Sequence, residues 1–252
     1  MNMGRLKMKK ILGTLLILAI SFAFGQNNFN YGEKATYNAY WNGIRAGTVV
    51  LEVLPKVDNS NDYTFRMRMT TNSFAERFYS SQQTITSTID ENVSHSKSYH
   101  TKGIEKKKER ERKITFDWEN MKTEYYRDGN LSNELTLVEG TLDPLSLFYF
   151  LRNQDIEVGK IIQSNVTDGR RLISGSIHVK KEETIKVGKL GNIKTYVIEP
   201  TLDGLGGIFG SSDSNMEIWL SQGNSRLPVR IRSKVKVGTF TVELARVEGV
   251  QL

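Results

Sequence analysis

Residues 228–244 read PVRIRSKVKVGTFTVEL, and this stretch decides the fold class. Val229, Ile231, Ser233, Val235 and Val237 alternate with Arg230, Arg232, Lys234 and Lys236. After Gly238, Phe240, Val242 and Leu244 alternate with Thr239, Thr241 and Glu243. Successive side chains of an extended strand point to opposite faces, so one face is apolar and the other wet. That is the mark of antiparallel sheet, since a parallel sheet buried on both sides reads as a continuous apolar run.

The same period governs the chain on either side. Tyr63, Phe65, Met67 and Met69 alternate with Thr64, Arg66, Arg68 and Thr70. Asn42-Gly43 lies between strands expected at 34–41 and 44–54, and both residues accept the positive φ of a tight hairpin. Further strands are expected at 63–71, 82–89, 229–237 and 239–247, with turns at Asp128-Gly129, Asp168-Gly169 and Gln222-Gly223. The reading is a single meander of about ten strands. Two segments break it. Asp143-Pro144 followed by LSLFYFLR predicts a helix over 144–152, with Asp143 as cap and Pro144 in the first turn. That helix is apolar almost all round and should be buried. NSFAERFYS, 72–80, predicts a second short helix capped by Asn72. Two short helices cannot cover ten strands laid flat. The expected fold is therefore mainly β: an antiparallel sheet curled into a half-barrel or barrel-like meander around one or two short helices.

Residues 8–26, MKKILGTLLILAISFAFGQ, have a basic start, an apolar run and small residues at Ala23 and Gly25. This is the layout of a cleavable secretory signal over residues 1–25, shorter than a membrane span. The expectation is one domain over 26–252, working in the periplasm or secreted, with no transmembrane span after cleavage. Residues 1–25 hold four Lys and Arg and no acid, so 31 basic side chains face 28 acidic ones beyond them, a charge of +3 rather than +7. That balance is no nucleic-acid footprint, and no nucleic-acid partner is expected. The chain has no Cys, which excludes disulfides and a lipidated cysteine tether.

Catalytic signatures are missing. His95 and His100 are five apart in a strand-like stretch and face opposite sides. There is no HExxH, no acidic metal loop and no G-x-S-x-G elbow; Gly204-Leu-Gly-Gly207 lacks the Lys-Ser/Thr ending of a phosphate loop. No catalytic residue, metal ligand or cofactor is assigned, and a binding module is favoured over an enzyme. Residues 104–113, IEKKKERERK, place Lys106, Lys108, Arg110 and Arg112 on one strand face. They read as a basic stripe for anionic headgroups or, with more weight because the signs are mixed, as a solvated outer strand whose charges resist edge-to-edge pairing. Leu202–Gly210 holds four glycines with Leu205, Ile208 and Phe209, a pliable and apolar segment suited either to capping a cavity or to plugging a barrel end. Tyr37, Trp41, Phe65, Met67 and Phe148 join those three as candidate lining of an apolar site, although period two alone cannot tell a hollow interior from a filled one. Burial is expected for Trp41, Phe65, Phe148, Trp219, Ile231 and Phe240.

Three stretches in this order carry a resemblance: GEKATYNAYWNGIRAGTVVLEV (32–53), DPLSLFYFLR (143–152) and GIFGSSDSNMEIWLSQGNSRLPVRIRSKVKVGTFTVEL (207–244). Together the chain resembles the bacterial exported family called domain of unknown function 3108, or DUF3108. The resemblance implies an envelope protein with a curled sheet, similar to the half-barrels of periplasmic lipoprotein carriers that hold acyl chains on the concave face. It carries over no catalytic residue. The resulting expectation is a non-enzymatic envelope protein binding a lipid or other apolar ligand; the alternative is a partner-binding or structural envelope protein with a solid core and no small ligand.

Overall fold

The computed structural model describes residues 27–57, 60–76, 81–105, 108–201, 215–235 and 238–252. The expected leader and Leu205, Ile208 and Phe209 lie outside the described residues. The first arm of the fold comprises β1 (Lys34–Trp41), β2 (Ile44–Val53), β3 (Tyr63–Thr71), α1 (Ser73–Glu76), β4 (Ser81–Ile89), β5 (Ser96–Glu105), β6 (Lys108–Asp117), β7 (Lys122–Arg127) and β8 (Asn130–Thr136). The second comprises β9 (Thr141–Leu142), α2 (Pro144–Arg152), β10 (Ile161–Thr167), β11 (Leu172–Val187), β12 (Gly191–Thr201), β13 (Asn215–Ser221), β14 (Pro228–Val235) and β15 (Gly238–Glu248).

All fifteen strands belong to one sheet, mainly antiparallel, with β8 and β9 at its edges and β1 beside β15 in the middle. The chain lays one arm outward from β1 to β8, crosses to the far edge as β9, and returns inward from β10 to β15. Only β9 pairs in parallel, with β10. The Asn42-Gly43 and Asp128-Gly129 hairpins carry positive φ at both central residues, as their turn type requires.

The sheet wraps around α2. One core cluster joins Phe65 and Ile85 of the first arm with Ile177, Ile198 and Ile218 of the second around Leu145, Leu147, Phe148 and Leu151. Strands so far apart in sheet order share a core only if the sheet is strongly curled. Its edges are not hydrogen-bonded to each other. The turn between β10 and β11 bridges the gap instead: Asn133 Nδ2 of β8 donates to the carbonyls of Gly169 at 2.9 Å and Arg170 at 3.3 Å. Gly169 has φ +85°, and a methyl group built on it would lie 2.6 Å from the Tyr125 ring, so the turn seats on β7 because that position lacks a side chain.

The helix over 144–152 and its Asp143 cap stand where the sequence places them. Among the described residues there are fifteen strands rather than about ten. The shorter helix is one turn, Ser73–Glu76, with Asn72 Oδ1 accepting from Ala75 N at 3.0 Å; residues 77–80 lie outside the described residues. β6, the charged stretch, is flanked by β5 and β7 and is not an outer strand. Phe65, Phe148 and Trp219 are buried. Trp219, opposite in parity to Ile218 and Leu220, is covered by the guanidiniums of Arg230 and Arg232 and donates to Glu183 Oε2 at 3.1 Å. Trp41 and Ile231 are only half-buried and Phe240 is 43% exposed. Ile231 and Phe240 depart from the expected core because they line a part of the concave face that is not filled, and Trp41 stacks on Phe240.

Candidate functional site

The site is framed by α2, which is pinned at both ends by buried charge. At its N-terminus, Asp143 Oδ1 accepts from the backbone N–H groups of Leu145 at 2.8 Å and Ser146 at 3.0 Å. Oδ2 accepts from the hydroxyls of Ser87 and Ser96 at 2.6 Å and of Ser146 at 2.8 Å. Burial pushes the Asp143 carboxyl above the usual aspartate range, and the three serine hydroxyls and the Ser146 N–H oppose that shift. At the C-terminal end, Arg152 donates to both carboxylate oxygens of Glu33, at 2.6 and 2.8 Å, and to the carbonyls of Ser225 and Asn28 at 2.8 and 2.7 Å. Its guanidinium also lies over the rings of Phe29 and Tyr149. A buried pair survives desolvation when its remaining donors are met, as they are here. Around it the packing is tight. Phe65 stacks on Tyr149 with centroids 3.5 Å apart, Phe29 meets both rings edge-on, and the residual void beside Glu33 and Arg152 is only about 10 Å³.

On the other side of Phe148 the interior opens into a cavity of about 750 Å³. Its apolar wall comes from Val49 and Leu51 of β2, Met67 and Met69 of β3, Ile85 of β4 and, across the seam, Ile231 of β14 and Val242 and Phe240 of β15. Register explains the gathering: Leu51, Met67, Ile85 and Thr101 are successive partners across four strands and face one way. The β1–β2 pairing sets Tyr37 opposite Val49, and β14–β15 sets Ile231 opposite Val242. Close strand approach helps here, since a methyl group on Gly47 would meet the Thr70 carbonyl oxygen.

Polar groups collect towards β5–β7. Tyr99, Thr101, Arg112 and Arg127 line the cavity there with Asp168 and Arg170 from the β10–β11 turn. Burial pushes the Tyr99 phenol up to about 12, so it keeps its proton at neutral pH. Burial likewise raises the Tyr37 phenol, whose hydroxyl has no hydrogen-bond partner among the described residues; the Ser233 hydroxyl is also buried without one among them.

Of the sequence-expected lining, Tyr37, Met67 and Phe148 meet at this cavity. Phe65 instead belongs to the tight packing on Tyr149, and Trp41 stacks on Phe240, whose own ring lines the space. Sequence reading missed Val49, although its parity with Leu51 and its pairing with Met69 mark the same face. It also missed Arg127 and Arg170, which have no apolar period to betray them. Among the described residues no group of three or more His, Asp or Glu is placed to hold a metal ion, and no helix is long and apolar enough to cross a membrane.

The model of the protein family of unknown function DUF3108 matches residues 36–245. The chain belongs to the DUF3108 family. One solved structure extends the likeness of this DUF3108 chain to its fold. A β-barrel-like protein of domain of unknown function DUF1849 from Brucella abortus is 16% identical, with a TM-score of 0.57 over 86% of this chain and 97% of that one. The hypothetical protein CT021 from Chlamydia trachomatis is 8% identical, with a TM-score of 0.38 over 87% of each chain. No curated protein matches the chain. The Brucella likeness supports a barrel-like sheet and carries no activity with it.

Proposed function

We propose that this DUF3108 protein is an exported, non-enzymatic component of the bacterial envelope that holds an apolar or amphiphilic ligand inside its curled sheet. The observation that carries the reading is the cavity of about 750 Å³ between α2 and the concave face. Small-molecule sites typically measure roughly 300–1,000 Å³ and are mostly apolar with a few placed polar groups. Tyr37, Met67 and Phe148 contact the ligand. Each buried methylene of an acyl chain contributes about 0.8 kcal/mol, so a chain of modest length offsets its ordering cost. The unfilled wall at Ile231 and Phe240 supports a vessel over a solid partner-binding module.

The test is extraction and mass spectrometry of protein purified from its native envelope. A co-purifying acyl-bearing molecule is expected, and Met67→Glu should abolish its retention while the sheet stays folded. Protein that emerges free of lipid and fails to bind a neutral apolar dye would reject the vessel and favour the solid, partner-binding alternative.

A further inference from the structure

The apolar wall of the cavity continues past its lining residues. Tyr37 and Ala39 of β1 line the cavity, and Trp41 is the next residue on the same face of that strand. Trp41 stands directly opposite Ile44 of β2 on one side and Phe240 of β15 on the other. Directly paired residues of antiparallel strands share a face, so the three form one row across the strand ends. Phe240 still lines the cavity, and its ring stacks on Trp41 with centroids 6.3 Å apart. The row is open to solvent, with Ile44 52% and Phe240 43% exposed. It is also firmly held. Asn42 N–H donates to the Thr239 carbonyl and Thr239 N–H donates to Asn42 Oδ1, both at 2.8 Å, which fastens the β1–β2 tip to the start of β15.

Two cations flank this lip. Arg45 follows Ile44 on β2, and Lys234 of β14 is paired with Thr239, the residue before Phe240. Both are exposed, and neither side chain has a hydrogen-bond or ion-pair partner among the described residues. The acids of β1, β2, β13, β14 and β15 are Glu52, Glu217, Glu243 and Glu248, and each is already ion-paired. α1 adds a single acid, Glu76.

We propose that this end of the sheet docks on an anionic lipid bilayer, with Ile44, Trp41 and Phe240 entering the headgroup layer and Arg45 and Lys234 meeting its phosphates. The proposal rests on the vessel reading and names the surface across which the cavity exchanges its occupant. Trp sits well at the boundary of headgroup and chain, and Arg and Lys reach their charged heads out from apolar stems. Such a small apolar contact aided by charge is reversible, unlike a spanning anchor. Continuity between lip and wall gives an acyl chain an apolar path from bilayer to cavity, so less of it meets water on the way.

The experiment uses protein purified from its native envelope, with vesicles of phosphatidylglycerol or phosphatidylcholine whose acyl chains are brominated to quench nearby indoles. The chain has three Trp, at 41, 118 and 219. Phosphatidylglycerol should quench, and Trp41→Phe should remove most of the effect. Binding to phosphatidylglycerol should be roughly tenfold tighter than to phosphatidylcholine. Arg45→Gln/Lys234→Gln should lose most of that preference, whereas Lys56→Gln, in the β2–β3 connection at the far end of β2, should keep it. Ile44→Ser/Phe240→Ser should weaken binding to both vesicles. Absence of vesicle binding, or quenching that survives Trp41→Phe, overturns the proposal. So does a dimer that Ile44→Ser/Phe240→Ser converts to monomer, because the lip would then join two copies of the chain. If a neutral apolar dye enters the cavity while Trp41 stays unquenched, the docking falls and the vessel stands. If Trp41 is quenched and no dye or lipid is held, the docking stands and the vessel falls.

Discussion

The two sides of Phe148 could hardly differ more. Towards Arg152 the space left beside the buried ion pair is about 10 Å³, below what one water molecule fills; towards β2, β3 and β15 it is about 750 Å³. Both regions use the same sheet and the same helix. The difference teaches that the fold concentrates its stabilising contacts at one end of α2 and leaves the rest of the concave face free for another use. Arg152, Glu33, Phe29, Phe65 and Tyr149 lock helix to sheet, so Val49, Met69, Ile231 and Phe240 need not meet across the middle.

The contrast can be broken by mutation. Glu33→Ala leaves the Arg152 guanidinium buried without its carboxylate and should cost about 3–5 kcal/mol in urea unfolding. Replacing the pair together, Glu33→Gln with Arg152→Met, should recover much of that loss; no recovery would mean that the aromatic packing on Arg152 matters more than the charge. Phe65→Ala should also cost about 3–5 kcal/mol, whereas Phe240→Ala on the cavity wall should cost under about 1 kcal/mol. Equal losses at both positions would show that the cavity closes in solution. Asp143→Ala removes a helix cap and the acceptor for three serine hydroxyls, and should cost about 2 kcal/mol by the same measurement.

The smallest effect is a pH dependence. Burial raises the Asp143 carboxyl above its unfolded value of about 3.9, so the folded protein holds that proton more tightly than the unfolded chain. The stability this group contributes is therefore fully present below the unfolded value and lost as pH rises through the raised one. Wild type should gain on Asp143→Asn as the solution is acidified across that window. A wild type that instead loses ground would mean that the serine hydroxyls hold the carboxylate charged.

How much of this was legible beforehand follows from what period two can encode. β1, β3 and α2 with its cap were readable to the residue, because each has a clean apolar period and a turn or capping residue at its end. Two of the strands left unnamed have faces that are not segregated. β6 reads KERERKITFD, with charge on both faces in its first half, and β11 runs sixteen residues with a register shift between Val179 and Lys181 that resets its parity. The cavity was beyond reach for another reason. Alternation says which side chains face inward and nothing about whether an opposite wall meets them. Arg112 shows the limit well: the first half of its strand is largely solvated, as the favoured reading expects, yet the half-buried Arg112 also lines the cavity.

The pairing of β1 with β15 has a consequence for how the molecule comes into being. Every other antiparallel contact in the sheet joins strands that are consecutive in the chain, so those pairings are local. Lys34 meets Glu248 and Trp41 meets Phe240, so the central seam joins strands that lie far apart in sequence. Closing such a long loop carries the largest entropic cost in the fold, and non-local pairing of this kind slows folding. Until that seam forms, two half-sheets expose their concave apolar faces, and β1 and β15 are open edges prone to pairing with other chains. A covalent tether that joined β1 to β15 should therefore speed folding.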